Sequence, residues 1–179
     1  VIVNSDEARA EWLTAGEYSS SLGGVYLAPV WDTDVADNVF FKAYRADVAI
    51  PTFRYGRLLT VQLWTEYKRG SEVFRLIEEH KPGLITYTLY QGGNRNLGVP
   101  VPMATLPETA HYGDLVSPVE YLKLASESDY QVSVATGIPD MAVSYFPNLR
   151  PQMDWENFGP LASLGRSDYL QLEPVFDKV

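Results

Sequence analysis

The sequence predicts an α+β fold in which an antiparallel β-meander and further hairpins are combined with an N-terminal and a C-terminal helix. Three observations carry this. From Arg57 to Tyr90, apolar and polar residues alternate in three runs separated by two turns. Near the start, Asn4-Ser5-Asp6-Glu7 has the character of a helix N-terminus. At the end, Leu172, Val175, Phe176 and Val179 recur at i, i+3, i+4 and i+7, the spacing of one helix face.

In the meander, Leu59, Val61, Leu63, Thr65 and Tyr67 share one strand face, with Thr60, Gln62 and Glu66 on the other. Lys68-Arg69-Gly70-Ser71 breaks the pattern. The second strand runs from Val73 to His80 and ends at Lys81-Pro82-Gly83, where Pro has no N–H for a ladder and Gly accepts positive φ. The third, Leu84 to Tyr90, sets Ile85, Tyr87 and Leu89 against Thr86 and Thr88, as in a half-buried antiparallel sheet. The competing reading of Ser71 to His80 is a short helix, because Val73, Phe74 and Ile77 also fit helical spacing.

Taken in order, the N-terminal helix carries acids in its first turn, which suit the positive end of its dipole. Ala8, Trp12 and Ala15 give it about three turns before a break at Gly16, with a resumption over Tyr18 to Leu22 that Gly23-Gly24 stops. Val25 to Trp31 reads as a strand that Pro29 places at an edge or near its end. Asp32 to Asp37 closes it as a solvated turn. A calcium loop fits poorly there, since positions 36, 38 and 39 are Ala, Asn and Val where such a loop needs oxygen ligands and a glycine. Val48 to Arg54 is a short strand interrupted by Pro51, and Tyr55-Gly56 turns it into the meander.

Gln91 to Gly98 superficially suggests a phosphate loop. It lacks both the three-glycine dinucleotide spacing and a Gly-Lys-Ser/Thr, and Val99-Pro100-Val101-Pro102 cannot open a helix after it, so it reads as a mobile loop. Met103 to Leu124 is the least regular region, with one or two helical turns at Val119 to Leu124. Tyr130 to Thr136 and Met141 to Phe146 read as a hairpin around Gly137-Ile138-Pro139-Asp140, with Val132 and Val134 facing the core. Asp154 to Pro160 is loop, with Trp155 and Phe158 tucked in. Asp168 with Gln171 suits a capping box for the last helix, but Pro174 would then delete a hydrogen bond in the second turn; either the helix kinks or it begins nearer Leu172. The apolar stripe reaches Val179 without a cap, the pattern expected where a helix of a longer protein continues.

A chain of 179 residues with 46% hydrophobic content sustains one ordinary core, and residues 1–179 read as a single domain. The absence of cysteine excludes disulfides, thiolate metal sites and thiol nucleophiles. No apolar run approaches the roughly 18–20 residues of a membrane helix. A net charge of −9 opposes a groove that grips nucleic acid by neutralising phosphates. The charge is also uneven: eight basic and five acidic residues lie between Lys42 and Lys81, against six acidic residues and one lysine between Met103 and Leu149. That pattern fits two differently solvated faces or a charge-complementary subunit contact.

Chemistry is sparse. His80 and His111 are too few for a zinc site without cysteine, Glu78 and Glu79 point to opposite faces of their strand, and no Gly-x-Ser-x-Gly elbow presents a nucleophile. No motif calls for a metal or cofactor; Asp and Glu side chains from distant segments can still pair in space, so the residues alone read as an α+β binding or structural domain, with a β-rich carbohydrate- or host-binding module as the rival to an enzyme.

Several segments in order point elsewhere. Leu22-Gly23-Gly24-Val25-Tyr26-Leu27 followed by Val30-Trp31-Asp32, Arg57 to Trp64, His80-Lys81-Pro82-Gly83 leading to Leu89-Tyr90, Asn96-Leu97-Gly98 with Val101-Pro102, Pro147-Asn148 with Arg150-Pro151, and Leu164-Gly165-Arg166-Ser167-Asp168-Tyr169 together resemble portal proteins of tailed bacteriophages, especially those of actinobacteria. Each piece is weak alone. Their order, and Gly-Arg-Ser-Asp-Tyr entering an apolar helix, is the specific part; residues 106–128 match nothing and read as a variable insertion.

The resemblance implies a wing-region fragment of a ring, usually of about twelve subunits, at one capsid vertex, where it joins head to tail and passes double-stranded DNA during packaging and ejection. Partners would be further copies of the chain, the major capsid protein, the terminase and a head–tail adaptor, with no sequence-specific DNA contact and no membrane. The location would be the virion, and the host cytoplasm during assembly. The family has no catalytic residues to carry over. Gly165, Arg166, Ser167, Asp168 and Tyr169 would be structural: Gly165 permits a turn, Asp168 or Ser167 caps, and Tyr169 packs under a helix over 167–179 whose Leu172, Val175, Phe176 and Val179 make helix-packing or subunit contacts. The acidic balance predicts weak or no binding to double-stranded DNA at physiological salt; micromolar binding in a fluorescence-anisotropy titration, weakening steeply with added salt, would contradict it.

Overall fold

The computed structural model describes residues 5–30, 32, 35–114, 130–149, 157 and 159–169. The expected final helix with Leu172, Val175, Phe176 and Val179, the helical turns at Val119 to Leu124, and Trp155 and Phe158 lie outside these residues. The fold is mixed α+β with antiparallel sheets. In chain order the elements are α1 (Asp6–Leu22), β1 (Gly24–Val30), β2 (Phe40–Arg45), β3 (Ala49–Arg54), β4 (Arg57–Arg69), β5 (Glu72–Lys81), β6 (Leu84–Gly92), β7 (Val99–Val101), α2 (Pro107–Ala110), β8 (Gln131–Ala135) and β9 (Ser144–Pro147). Residues up to Leu58 and from Val143 onward form one compact unit, and Leu59–Ala142 form another.

In the first unit, Ser5 caps α1: its Oγ accepts the Ala8 N–H at 3.1 Å, and Asp6 and Glu7 occupy the first turn. Gly23 ends the helix with φ 81°, donating its N–H to the Ser19 carbonyl at 3.0 Å. The break expected at Gly16 does not occur, and α1 runs through it for 17 residues. One interior glycine costs about 1 kcal/mol. That penalty is smaller than the gain from packing the Ala8 and Ala15 face continuously on the sheet, where Ala15, Val25, Leu27 and Ala43 form a core with Tyr18 at its margin. The small residues let helix and sheet approach closely.

The sheet under α1 has the order β2-β1-β9. β1 pairs with β2 from Val25↔Arg45 to Val30↔Phe40, and with β9 only from Gly24↔Pro147 to Leu27↔Ser144. Pro29 therefore lies beyond the end of β9, where its missing N–H costs the ladder least. Gly24 to Ala28 are all buried, so both faces of β1 are covered.

In the second unit the meander forms as the alternation predicts. β4 pairs with β5 from Val61↔His80 to Arg69↔Glu72, and β5 with β6 from Val73↔Gly92 to Lys81↔Leu84; the helical alternative for Ser71 to His80 is not adopted. The far edge of β6 is shared by two strands, β8 alongside Leu84–Thr88 and β7 alongside Leu89–Gln91. Phe74, Leu76 and Leu89 of the meander bury against Met103 and Leu106, with Tyr67, Tyr87, Val101, Tyr112 and Val132 around them. The segment that looks least regular in sequence thus supplies the lid of this core, and buried Thr109 holds it by donating Oγ1–H to the Met103 carbonyl at 2.6 Å.

Two further expectations are corrected. Residues 130–146 are not a hairpin: β8 pairs with β6, β9 pairs with β1, and the second strand begins at Ser144 rather than Met141. The intervening turn is held by other partners, the Gly83 N–H donating to the Asp140 carbonyl at 3.2 Å and the Thr136 N–H to the Gly83 carbonyl at 3.0 Å. The Gln91–Gly98 loop is also tied down. Arg75 donates to the carbonyls of Gly93 at 3.1 Å and Asn96 at 2.7 Å, and Asn96 Oδ1 accepts the Gly93 N–H.

A Cβ at Gly16 would meet nothing within 4 Å. Gly16→Ala should therefore stabilise α1 by up to about 1 kcal/mol. The measurement is the thermal midpoint of the helical circular-dichroism signal, which rises if the helix is as continuous as described.

Candidate functional site

Three segments far apart in sequence meet at the C-terminal end of α1. Gly23, in its left-handed cap conformation, turns its carbonyl toward the residues that follow β9, and the Asn148 N–H donates to it at 3.0 Å. Asn148 then works with both backbone and side chain. Its carbonyl accepts the Arg166 N–H at 2.8 Å, while Nδ2 donates to the Arg166 carbonyl and to Asp168 Oδ1, both at 2.9 Å. The Ser20 carbonyl, one of those an α-helix leaves open at its end, accepts from the Asp168 N–H at 2.9 Å and the Ser167 hydroxyl at 3.3 Å.

Glycine is required where these strands of chain cross. A Cβ on Gly165 would overlap the Gly23 carbonyl oxygen and come within 2.6 Å of the Asn148 nitrogen and oxygen. A Cβ on Gly24 would run into the ring of Tyr145. Tyr145 lies over β1 with its ring centroid 4.7 Å from that of Tyr26 and 5.7 Å from that of Phe53, and its hydroxyl accepts the Gly165 N–H at 2.9 Å. Burial pushes the Tyr145 phenol above its ordinary range and the Gly165 N–H draws it partly back; burial, with Tyr145 nearby, also raises Tyr26. Both rings therefore stay neutral at physiological pH and serve as packing surface with a hydrogen-bonding tip.

Of the five residues in the Gly-Arg-Ser-Asp-Tyr motif, Gly165 is buried, Arg166 and Ser167 are half-buried, and Asp168 and Tyr169 are exposed. Ser167 Oγ accepts the Tyr169 N–H at 3.1 Å, a bond within the turn at Asp168-Tyr169; the helix that Ser167 or Asp168 was expected to cap lies outside the described residues. The Asp168 carboxylate accepts from Asn148 instead; its expected partner Gln171 is outside the described residues. Tyr169 is 56% exposed, so the packing expected of it is not made by the described residues. Sequence reasoning missed Asn148 and Tyr145 as organisers. Two consecutive glycines at the end of α1 were the available signal: one suffices for the cap, and the second calls for a close neighbour.

The remaining polar candidates are separate. His80 is buried with Nε2 2.7 Å from Glu78 Oε1, and its Nδ1 has no partner among the described residues. Glu79, on the opposite face, bonds Gln62 and Lys81; burial would raise its carboxyl, but these two bonds outweigh it and hold it below the usual range. His111 stacks on Tyr112 at 4.1 Å. In the Asp32–Asp37 turn the Asp32 carbonyl accepts the N–H groups of Val35 and Ala36. Among the described residues no three His, Asp or Glu side chains converge as metal ligands, and no helix is long and apolar enough to cross a membrane. Compared with family models, curated proteins and solved structures, the chain has no significant match.

Because the obstacle at Gly165 is backbone, which cannot rotate aside, Gly165→Ala should cost roughly 3 kcal/mol or more. Urea unfolding should show a lower midpoint for this variant, and an unchanged midpoint would mean the three segments do not cross as closely as described.

Proposed function

We propose that the chain is the wing region of a tailed-phage portal subunit, a structural protein of the ring that connects head and tail and through which DNA is packaged and ejected. The observation that carries the reading is the order of the sequence segments that resemble portal proteins. It is supported by the way three of them, Leu22–Val25, Pro147-Asn148 and Gly165–Tyr169, are knitted into one hydrogen-bonded clasp rather than scattered. A clasp of this kind suits a load-bearing subunit, since it ties three distant segments together through backbone and side-chain hydrogen bonds. The net charge of −9 suits a surface that a polyanion passes without adhering; in a ring of about twelve copies it amounts to roughly a hundred negative charges.

In this reading the partners are further copies of the chain, the capsid, the terminase and the adaptor, and the chain works without catalysis or cofactor. Native mass spectrometry and negative-stain imaging of the protein expressed in its full reading frame should give rings of about twelve, the number the resemblance implies. A stable monomer at micromolar concentration under every assembly condition would remove the portal reading and favour a β-rich carbohydrate- or host-binding module.

A further inference from the structure

The two-residue turn between β3 and β4 carries a residue that the free chain has no use for. Tyr55 is 98% exposed at φ 50°, and Gly56 follows at φ 73°. Turns with positive φ at both central positions favour Asn, Asp or Gly, and an aromatic residue there is strained. Such strain persists where function requires it. Arg54 and Arg57 flank the tyrosine; both are exposed, and neither forms an ion pair among the described residues. The tip is thus an exposed aromatic ring between two exposed guanidinium groups.

A feature of opposite character lies in the same unit. A cleft of about 650 Å³ has an apolar lining from Val39, Phe40, Phe41 and Ala8 and carries the carboxylates of Glu7 and Glu11. Glu11 is spent on the β2 edge, where Oε1 accepts the Ala43 N–H at 2.5 Å. Glu7 is exposed, and its own backbone N–H and the Ser5 hydroxyl hold its carboxyl below the usual range. Asp37, also exposed, falls between the lining residues Ala36 and Asn38.

We infer that Arg54-Tyr55-Gly56-Arg57 of one copy seats in the cleft between α1 and Val39–Phe41 of a second copy, the ring on the apolar lining and the guanidinium groups at Glu7 and Asp37. The inference rests on the ring-subunit reading and gives it a contact. A closed ring needs two different faces on each subunit, and the turn and the cleft are two such faces with complementary charge. Tyrosine and arginine entering an apolar pocket are the residues that most often anchor interfaces. The exposure of Tyr55 means that it does not occupy the cleft of its own chain.

The test replaces Tyr55 with a photoreactive phenylalanine analogue and mixes this chain with isotope-labelled wild-type chain, so that cross-links between copies are distinguished by mass. Cross-links from position 55 to residues 35–41 of the labelled chain are expected. R54E/R57E on the photoreactive chain should lower their yield about tenfold or more, and E7K/D37K on the labelled chain should restore it. Assembly with cross-links elsewhere, or with yields indifferent to these reversals, overturns the inference and leaves the ring reading standing. Absence of assembly by the wild-type chain overturns both.

Discussion

The first unit depends on how closely two stretches of backbone can pass. Gly165 crosses over Gly23 with no room for a methyl group, and only because it does so can Asn148 reach both chains and Asp168 reach the last turn of α1. The consequences run outward. The open carbonyls of the helix end are satisfied by a segment from the far end of the sequence, β9 is held against β1, and Tyr145 is pressed onto Gly24 and stacked on Tyr26. Each bond is worth about 1 kcal/mol alone. Together they hold in one place three segments that local propensity would leave apart.

The second unit is organised differently, by strand pairing and apolar burial, with polar ties running between neighbouring strands and within the segment that covers them. β5 is paired with β4 over Glu72–His80 and with β6 over Val73–Lys81, and this presents Phe74 and Leu76 to the lid residues Met103 and Leu106. Arg75, on the opposite face of the same strand, collects two carbonyls of the loop after β6 and leaves that loop no need of a core of its own. One strand thereby serves both a hydrophobic and a polar purpose, which follows from the alternation of its side chains.

What could be read from the sequence followed the reach of the signal. The meander was legible because alternation and Gly or Pro turns are local, as were the start of α1 within Asn4-Ser5-Asp6-Glu7 and its stop at Gly23, although which of the four residues caps it was not. β2 was not legible: in Phe40–Arg45 the buried residues are Ala43 and Tyr44, adjacent rather than alternating, and the acidic turn before it conceals its start. β7 was hidden by its own Pro100, which an edge strand tolerates. The false hairpin at 130–146 arose because two good strand patterns flank a good turn, and nothing local indicates that each strand prefers a distant partner. Of the clasp, Gly165 and Ser167 were expected to matter, but their partners Asn148 and Tyr145 are set by contacts across the chain that no spacing rule encodes.

The long separation between the halves of the first unit has a bearing on how the chain is made. Tyr145 and Gly23 meet although 122 positions separate them. During synthesis α1, β1 and β2 emerge first but lack β9 and the crossing at Gly165, whereas all of Leu59–Ala142 leaves the ribosome before Val143 does. The meander, whose neighbouring strands are also neighbours in sequence, can close early, while the exposed edge of β1 waits for residues still being translated. Glu11 already covers one N–H on the β2 side. The β9 side of β1 stays open until Ser144–Pro147 have emerged, and that edge is exposed in the nascent chain to pairing with the wrong partner.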